Sequence, residues 1–361
     1  MSVEACISLL EEPVPIEGTN ILVFYHPKKQ EAGDYARHLR TAARYIWPYG
    51  ELTTQASEST PDGNAEIYNE QVRRSGPPHV VILAGDGGAN KVIAGKICSE
   101  SPADDRRVLV AGAFGHANDL AHGLLSDKHL RNPVLALREG RIARLHWLEV
   151  VLEDPEGNSK THIAQNYADV GLTAMGSQYI NSEQYRRVLA RRNARDRSLV
   201  SSQRQPGMRK RAGQFLISSL NGTRDYVEDA RLIQTKVMPS VEPFEIEDLK
   251  SGTIATRVGK LLLNNSRMAK TQWMMNGHTF SEQANIANIR SARIDHLVRA
   301  IADLRLGREV LKPGEEVSFR VHQTGDKPLL AQFDGEVIEL VSGTTVTYRL
   351  SEGTQSFAST L

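Results

Sequence analysis

Val80-Val-Ile-Leu-Ala-Gly-Asp-Gly-Gly-Ala-Asn-Lys-Val-Ile-Ala-Gly-Lys96 is the stretch on which the reading of this chain turns. An apolar run, Val80 to Leu83, follows Gly76-Pro-Pro78 and breaks into Gly85-Asp86-Gly87-Gly88. Apolar residues then resume at helical spacing with Val92, Ile93 and Ile97. That order predicts a buried strand, a glycine turn and the start of a helix. Glycines let a ligand approach the main chain, and the free N–H groups at a helix start favour an anion such as phosphate. Asp86 would repel bare phosphate, so its presence points to a divalent cation or water between them. The alternative is a plain strand–turn–helix connection whose Asp is an N-cap.

Working outward, strands and helices alternate on both sides of this stretch. Ile21 to Tyr25 reads as a buried strand ending at His26-Pro27-Lys28-Lys29, and Ala32 to Trp47 as a helix. Glu51 to Thr54 reads as a short strand, Asn64 to Arg74 as a helix, and Val108 to Gly112 as a further strand. Gly115-His-Ala-Asn-Asp-Leu-Ala-His-Gly123 opens another helix. Alternation of this kind implies a parallel sheet covered on both faces, with ligands beyond the carboxyl ends of its strands. The Gly85 and Gly115 turns both fall at those ends.

From about residue 134 the texture changes. Val134 to Leu137, the turn at Glu139-Gly140-Arg141, Arg144 to Glu153 and Thr161 to Val170 read as paired strands, which places a boundary at Asn132-Pro133. The expected organisation is an α/β nucleotide-binding domain over 19–133 and a β-rich domain over 134–355. The latter carries a basic helical insertion around 182–211. Arg186, Arg187, Arg191, Arg192, Arg195, Arg197, Arg204, Arg209, Lys210 and Arg211 lie in that insertion. Such a run can dock on an anionic membrane surface, although charge runs are commonly just solvated faces. Gln214 to Ser219 and Thr253 to Leu263 read as strands, and Ile294, Leu297, Val298, Ile301 and Leu304 mark a helix face closed by Gly307. Val317 to Val321, Leu329 to Phe333, Glu336 to Leu340 and Thr345 to Leu350 alternate as closing antiparallel strands. Asp334-Gly335 lies between two of them, as in a hairpin turn.

Composition narrows the classes. With 361 residues the chain is long enough for about two domains of ~150 residues. Lys+Arg 44 against Asp+Glu 43 leaves no global charge to wrap nucleic acid. Cys6 and Cys98 are too few and too far apart for a disulfide framework and read as small buried hydrophobes of a reducing compartment. The histidines show no zinc-ligand spacing, no apolar run is long enough to span a bilayer, and Met1 to Glu12 has no export pattern. A cytoplasmic protein, at most peripheral to the membrane through 186–211, is expected.

With Gly85-Asp86-Gly87, the Gly115-x-x-Asn118-Asp119 turn and Asp334-Gly335-Glu336 in this order, the chain resembles the diacylglycerol kinase catalytic family over about residues 19–355. The bacterial soluble lipid kinases are the most similar in length and layout, and Asn166 to Gly171 looks like the family's Asn-x-x-x-x-Gly stretch. The resemblance implies an N-terminal α/β nucleotide-binding domain with a parallel, Rossmann-like sheet, joined to a C-terminal antiparallel β-sandwich, with the site between them. It implies ATP and Mg²⁺ as cofactors, held by Gly85, Asp86, Gly87, Gly88, Asn90 and Lys91 and by Gly115, His116, Asn118 and Asp119. Asp86 would be the metal-side carboxylate, and Glu336, with Asp334 beside it, the general base toward a diacylglycerol-like or sphingoid hydroxyl. This chain differs from the family pattern in having Gly88 for Thr, Lys91 for Glu, His116 for Thr and His146 for Asp, and in lacking a glycine triplet around Asn264 to Trp273. These changes leave open a relative that binds nucleotide or lipid without turnover. NAD kinases share the glycine-Asp-glycine loop, but no Asn-Glu dipeptide follows residue 91.

Overall fold

The computed structural model describes residues 10–99, 107–115, 118–180, 182–185, 187–188, 190–191, 228, 231–264 and 283–361. The N-terminal unit runs through β1 (Leu10–Pro13), β2 (Ile21–Tyr25), α1 (Gln30–Thr41), α2 (Ala43–Ile46), β3 (Leu52–Ala56), α3 (Pro61–Ser75), β4 (His79–Ala84) and α4 (Asp86–Ile97). It continues with β5 (Leu109–Ala113), α5 (Asp119–Leu124), α6 (Asp127–Leu130), α7 (Pro133–Glu139) and β6 (Arg141–Leu145). β3, β2, β4 and β5 pair in parallel, in that order. All six residues of β4 are buried, as expected of a strand covered on both faces. Val80 to Leu83, Ile21 to Phe24 and Val108 to Val110 form the centre of the first core.

Sheet membership departs from the expected boundary. The first sheet has seven strands in the order β1-β6-β19-β5-β4-β2-β3, where β19 is Gln355–Ser359. β19 runs parallel to β5 and antiparallel to β6. The chain therefore stays in the first sheet through Leu145, beyond the boundary expected at Asn132-Pro133, and re-enters it at Gln355. Val134 to Leu137, expected as strand, is helix α7. Pro133 occupies its first turn and Gly140 its C-cap, and Val134, Ala136 and Leu137 are buried. Proline is preorganised for a first helical position, and that outweighs the β-like run of apolar residues behind it.

The second unit comprises β7 (Leu148–Glu153), β8 (Ser159–Ala164), β9 (Tyr167–Gly171), α8 (Leu172–Ile180), β10 (Phe244–Asp248), β11 (Ile254–Arg257), β12 (Gly259–Leu263), β13 (Ala284–Ile289), α9 (Ile294–Arg305) and β14 (Val310–Leu311). It closes with β15 (Glu316–Gln323), β16 (Leu329–Phe333), β17 (Glu336–Leu340) and β18 (Thr345–Leu350). These form two antiparallel sheets of six strands, ordered β11-β10-β15-β18-β7-β8 and β14-β13-β12-β9-β16-β17. Leu148 and Val150, Ala168 and Val170, Phe319 and Val321, and Ala331 and Phe333 meet in one core. The fold class is thus an α/β unit with a mostly parallel sheet followed by an antiparallel β-sandwich.

Smaller expectations divide. The helix ending at Gly307 is present, and Gly307 takes a left-handed φ of 56°. Ile286 to Ile289, ahead of that helix, are strand residues of β13. The strand expected over Thr253 to Leu263 is broken at Val258 into β11 and β12. Cys98, expected buried, is exposed at the C-cap of α4. Cys6, the strand at Gln214 to Ser219 and most of the basic 186–211 run lie outside the described residues.

Candidate nucleotide-transfer site

The two glycine turns touch backbone to backbone. A Cβ on Gly115 would lie 2.2 Å from the Gly85 Cα, and one on Gly85 would lie 2.8 Å from the Gly115 Cα. No side chain fits at either position, so both turns need glycine for close approach. Gly85 is the N-cap of α4 and supplies no side-chain cap. Its carbonyl accepts from the Ala89 N–H at 2.8 Å, which starts the helix directly after β4.

Asp86 links the turns. Its carboxylate accepts the N–H groups of Asp119 at 2.9 Å and Leu120 at 3.3 Å. The Asp of the first turn therefore caps the helix after the second, not the helix it begins, as the plain N-cap alternative required. Burial pushes its carboxyl upward, against the opposing pull of those N–H groups. Asn118 sits in the left-handed region, at φ 57° and ψ 38°. Its side chain closes the second turn on Gly115, accepting from the Gly115 N–H at 2.6 Å and donating to the Gly115 carbonyl at 2.9 Å. Asn tolerates this conformation because its short amide bonds locally. His116 lies outside the described residues.

The closing hairpin reaches these turns. Asp334 and Gly335 have φ of 45° and 89°, both positive as in the primed two-residue turns that suit twisted strands. Phe333 and Glu336 face each other as the last pair of β16 and β17. A Cβ on Gly87 would stand 3.4 Å from the Asp334 carbonyl oxygen, so the hairpin tip packs against the first glycine turn. Glu336 ends 3.4 Å from the Lys91 ammonium on α4, with both side chains partly exposed.

Asp334, expected as a catalytic partner of Glu336, has a different task. It is fully buried, and its carboxylate accepts three backbone N–H groups, from Gln165 at 2.5 Å, Asn166 at 2.9 Å and Tyr167 at 3.0 Å. Burial raises its carboxyl from 3.8 to about 7, while those three donors act in the opposite direction. Asp334 therefore ties the β16–β17 hairpin to the turn between β8 and β9. Asn90, expected to hold nucleotide, likewise bridges units by donating to the Ile163 carbonyl at 2.6 Å. His146 stands where the family pattern has Asp, and its Nδ1 bonds the carbonyls of Ser351 at 2.9 Å and Gly353 at 3.1 Å.

Three residues near the turns escaped the sequence reading. Tyr167 lies among Asp334, Asp119, Asp86 and Asp169, and burial followed by those carboxylates pushes its hydroxyl well above the usual range. His162 stacks on Phe333 with ring centres 4.8 Å apart, and its Nε2 is buried without a hydrogen-bond partner. His26 borders the first turn, since a Cβ on Gly88 would stand 3.5 Å from its ring. Burial and the charges of Lys29, Lys28 and Lys91 hold that imidazole below its ordinary value. His26-Pro27-Lys28-Lys29 carried a signal, being basic and at a carboxyl strand end of a parallel sheet. Tyr167 and His162 carried none, because only the fold brings them to the turns.

The geometry is thus two fused glycine turns with Lys91 on the helix they begin and, paired with it, one partly exposed carboxylate, Glu336, carried in from the second unit. Solved structures share this architecture. A Bacillus anthracis diacylglycerol kinase superposes with a TM-score of 0.52 at 12% identity, covering 94% of this chain and 96% of that one. A second structure from that organism, named as a candidate diacylglycerol kinase, gives 0.54 at 13% identity and covers 95% and 97%. This chain shares the fold of those two structures. No protein-family profile matches the sequence, and no curated protein does. At such identities the likeness is one of fold, and the chemistry must be argued from the residues.

Proposed function

We propose that this protein is an ATP-dependent lipid kinase, transferring the γ-phosphoryl group to the hydroxyl of a diacylglycerol-like or sphingoid lipid. The observation that carries this reading is the hairpin tip seated on the glycine turn, which sets the Glu336 carboxylate beside the helix that begins there. Phosphoryl transfer requires positioning, neutralisation of phosphate charge and an acceptor for the hydroxyl proton. Main-chain N–H groups at the start of α4, with the ammonium groups of Lys28 and Lys29 close to His26 at its edge, supply the first two. Glu336 supplies the third.

Mg²⁺ would enter with the phosphates, as it commonly does with only one or two protein carboxylates. Asp86, with Asp119 in the second turn, would be its protein carboxylates, and both Asp86 oxygens, which already accept N–H bonds, retain lone pairs. When bound, the ion neutralises charge on the transferring phosphoryl group. Among the described residues no three His, Cys, Asp or Glu side chains form a ready chelate, which fits an ion shared with the donor better than a resident one. The lipid would be met at a membrane surface, with the basic 186–211 run as the docking element. Among the described residues no helix is long and apolar enough to cross a membrane.

A second reading is a nucleotide- or lipid-binding protein without turnover, favoured by His146, which stands where the family pattern has Asp and is tied to the Ser351 and Gly353 carbonyls. The deciding experiment is phosphate transfer from labelled ATP with Mg²⁺ into a panel of lipid alcohols in mixed micelles, wild type beside Glu336→Gln. The kinase reading expects transfer into one lipid class, reduced about 10²- to 10⁴-fold in the variant. ATP binding with no transfer to any lipid establishes the second reading. Transfer that survives Glu336→Gln removes Glu336 as the base.

A further inference from the structure

The contact between Lys91 and Glu336 is a direct ionic link from the glycine-turn helix to the hairpin of the second unit. We infer that Lys91 is a positioning residue for phosphoryl transfer, one that acts through Glu336 by fixing where its carboxylate stands; this rests on the kinase reading above. Three observations support it.

First, the Glu336 carboxylate, on a side chain 42% exposed, makes a salt bridge with Lys91, while its electrostatic coupling to the His162 imidazole involves no salt bridge. A Glu at the start of an edge strand has rotamer freedom, and the 3.4 Å contact is what restricts it. Secondly, Lys91 is held on a rigid element. Asn90, one residue before it, is locked to the Ile163 carbonyl, and Val92 and Ile93 are buried in the first core. The ammonium therefore reports the position of α4 to the hairpin. Thirdly, the backbone at the hairpin tip is fixed independently by Asp334, whose three N–H bonds set the turn but leave the Glu336 side chain unrestrained. Lys91 supplies the missing constraint. Small displacements of a reacting group cost large factors in rate, so a contact of this kind bears on turnover more than on affinity.

The same geometry assigns the direction of the effect. If Lys91 were chiefly a phosphate ligand, its loss would weaken donor binding. If it acts through Glu336, its loss lowers kcat, and the loss disappears once Glu336 is gone.

The test is steady-state kinetics of the full chain with ATP, Mg²⁺ and the lipid accepted by the wild type, comparing Lys91→Gln, Lys91→Arg, Glu336→Gln and the Lys91→Gln/Glu336→Gln double variant. Lys312→Gln, an exposed lysine of the second unit, serves as the control. The expected result is a fall in kcat of at least about fivefold in Lys91→Gln with the KM for ATP within about twofold. Lys91→Arg should recover most of that loss, and the double variant should be no slower than Glu336→Gln. A raised KM for ATP at unchanged kcat, or single-variant losses that multiply in the double variant, would overturn the inference while leaving the kinase reading intact. A wild type that transfers phosphate to no lipid would instead remove the kinase reading, and this inference with it.

Discussion

Asp334→Asn isolates the energetics of the hairpin tip. In the wild type a fully buried carboxyl sits at about 7, raised from 3.8 by burial, among three N–H donors. Between those two values the folded chain holds a proton that the unfolded chain has released. Folded protein therefore binds more protons than unfolded, and stability declines as pH rises through the folded value. The stabilisation is fully present below pH 3.8 and is lost by slightly above pH 7. Integrated from pH 5 to pH 8, the decline is about 3 kcal/mol from this group alone. The variant cannot titrate there, and its amide also turns an N–H₂ toward donors that need acceptors, at a cost of ~1–3 kcal/mol. The assay is urea unfolding of wild type and Asp334→Asn at pH 5, 6, 7 and 8. The difference between them should be largest at pH 5 and shrink by about 2–3 kcal/mol by pH 8. A difference that stays flat across this range, or grows with pH, would refute the assignment of a raised carboxyl at this position.

Other expectations follow from the turns. Gly115→Ala forces a Cβ to within 2.2 Å of the Gly85 Cα, so it should cost at least ~2 kcal/mol in urea unfolding and abolish nucleotide binding measured by calorimetry. Asn118→Ala loses two side-chain bonds and a favourable left-handed residue. It should destabilise the chain by ~1–3 kcal/mol, with faster amide exchange confined to the second turn and α5. Cys98 is exposed, but partial burial and the carboxylates of Asp62 and Glu149 hold its thiol above its ordinary value. A disulfide reagent should therefore modify it in the native protein slowly at pH 7.5, with the rate still rising at pH 9.

What could be read from the sequence followed the length scale of its physics. β4, the turn at Gly85 and α4 were legible because strand, glycine turn and helix are local patterns. The Asp334-Gly335 hairpin was legible for the same reason, since positive φ at both positions is a demand that Asp-Gly meets. The role of Asp334 was not legible, because its three donors come from Gln165 to Tyr167, far away in the chain. The partners of Asp86 lie across two strands, and no pattern within Val80 to Lys96 could name them. α7 was misread because Val134 to Leu137 are apolar in the manner of a strand, while Pro133 and Gly140 bracket a helix. β19 was missed because Gln355 to Ser359 has only one large apolar residue, Phe357, and its place is fixed by a sheet laid down more than two hundred residues earlier.

The insertion of β19 between β5 and β6 has a consequence for how the chain is made. During synthesis β2 to β6 emerge about two hundred residues ahead of β19, and without it their sheet has a gap one strand wide. Until Gln355 to Ser359 leave the ribosome, β5 presents an unpaired hydrogen-bonding edge flanked by a buried apolar face, the kind of surface that recruits other strands. Loop closure over this distance also slows the final step. A truncation that removes Gln355 to Ser359 should therefore yield aggregate in place of a folded first sheet.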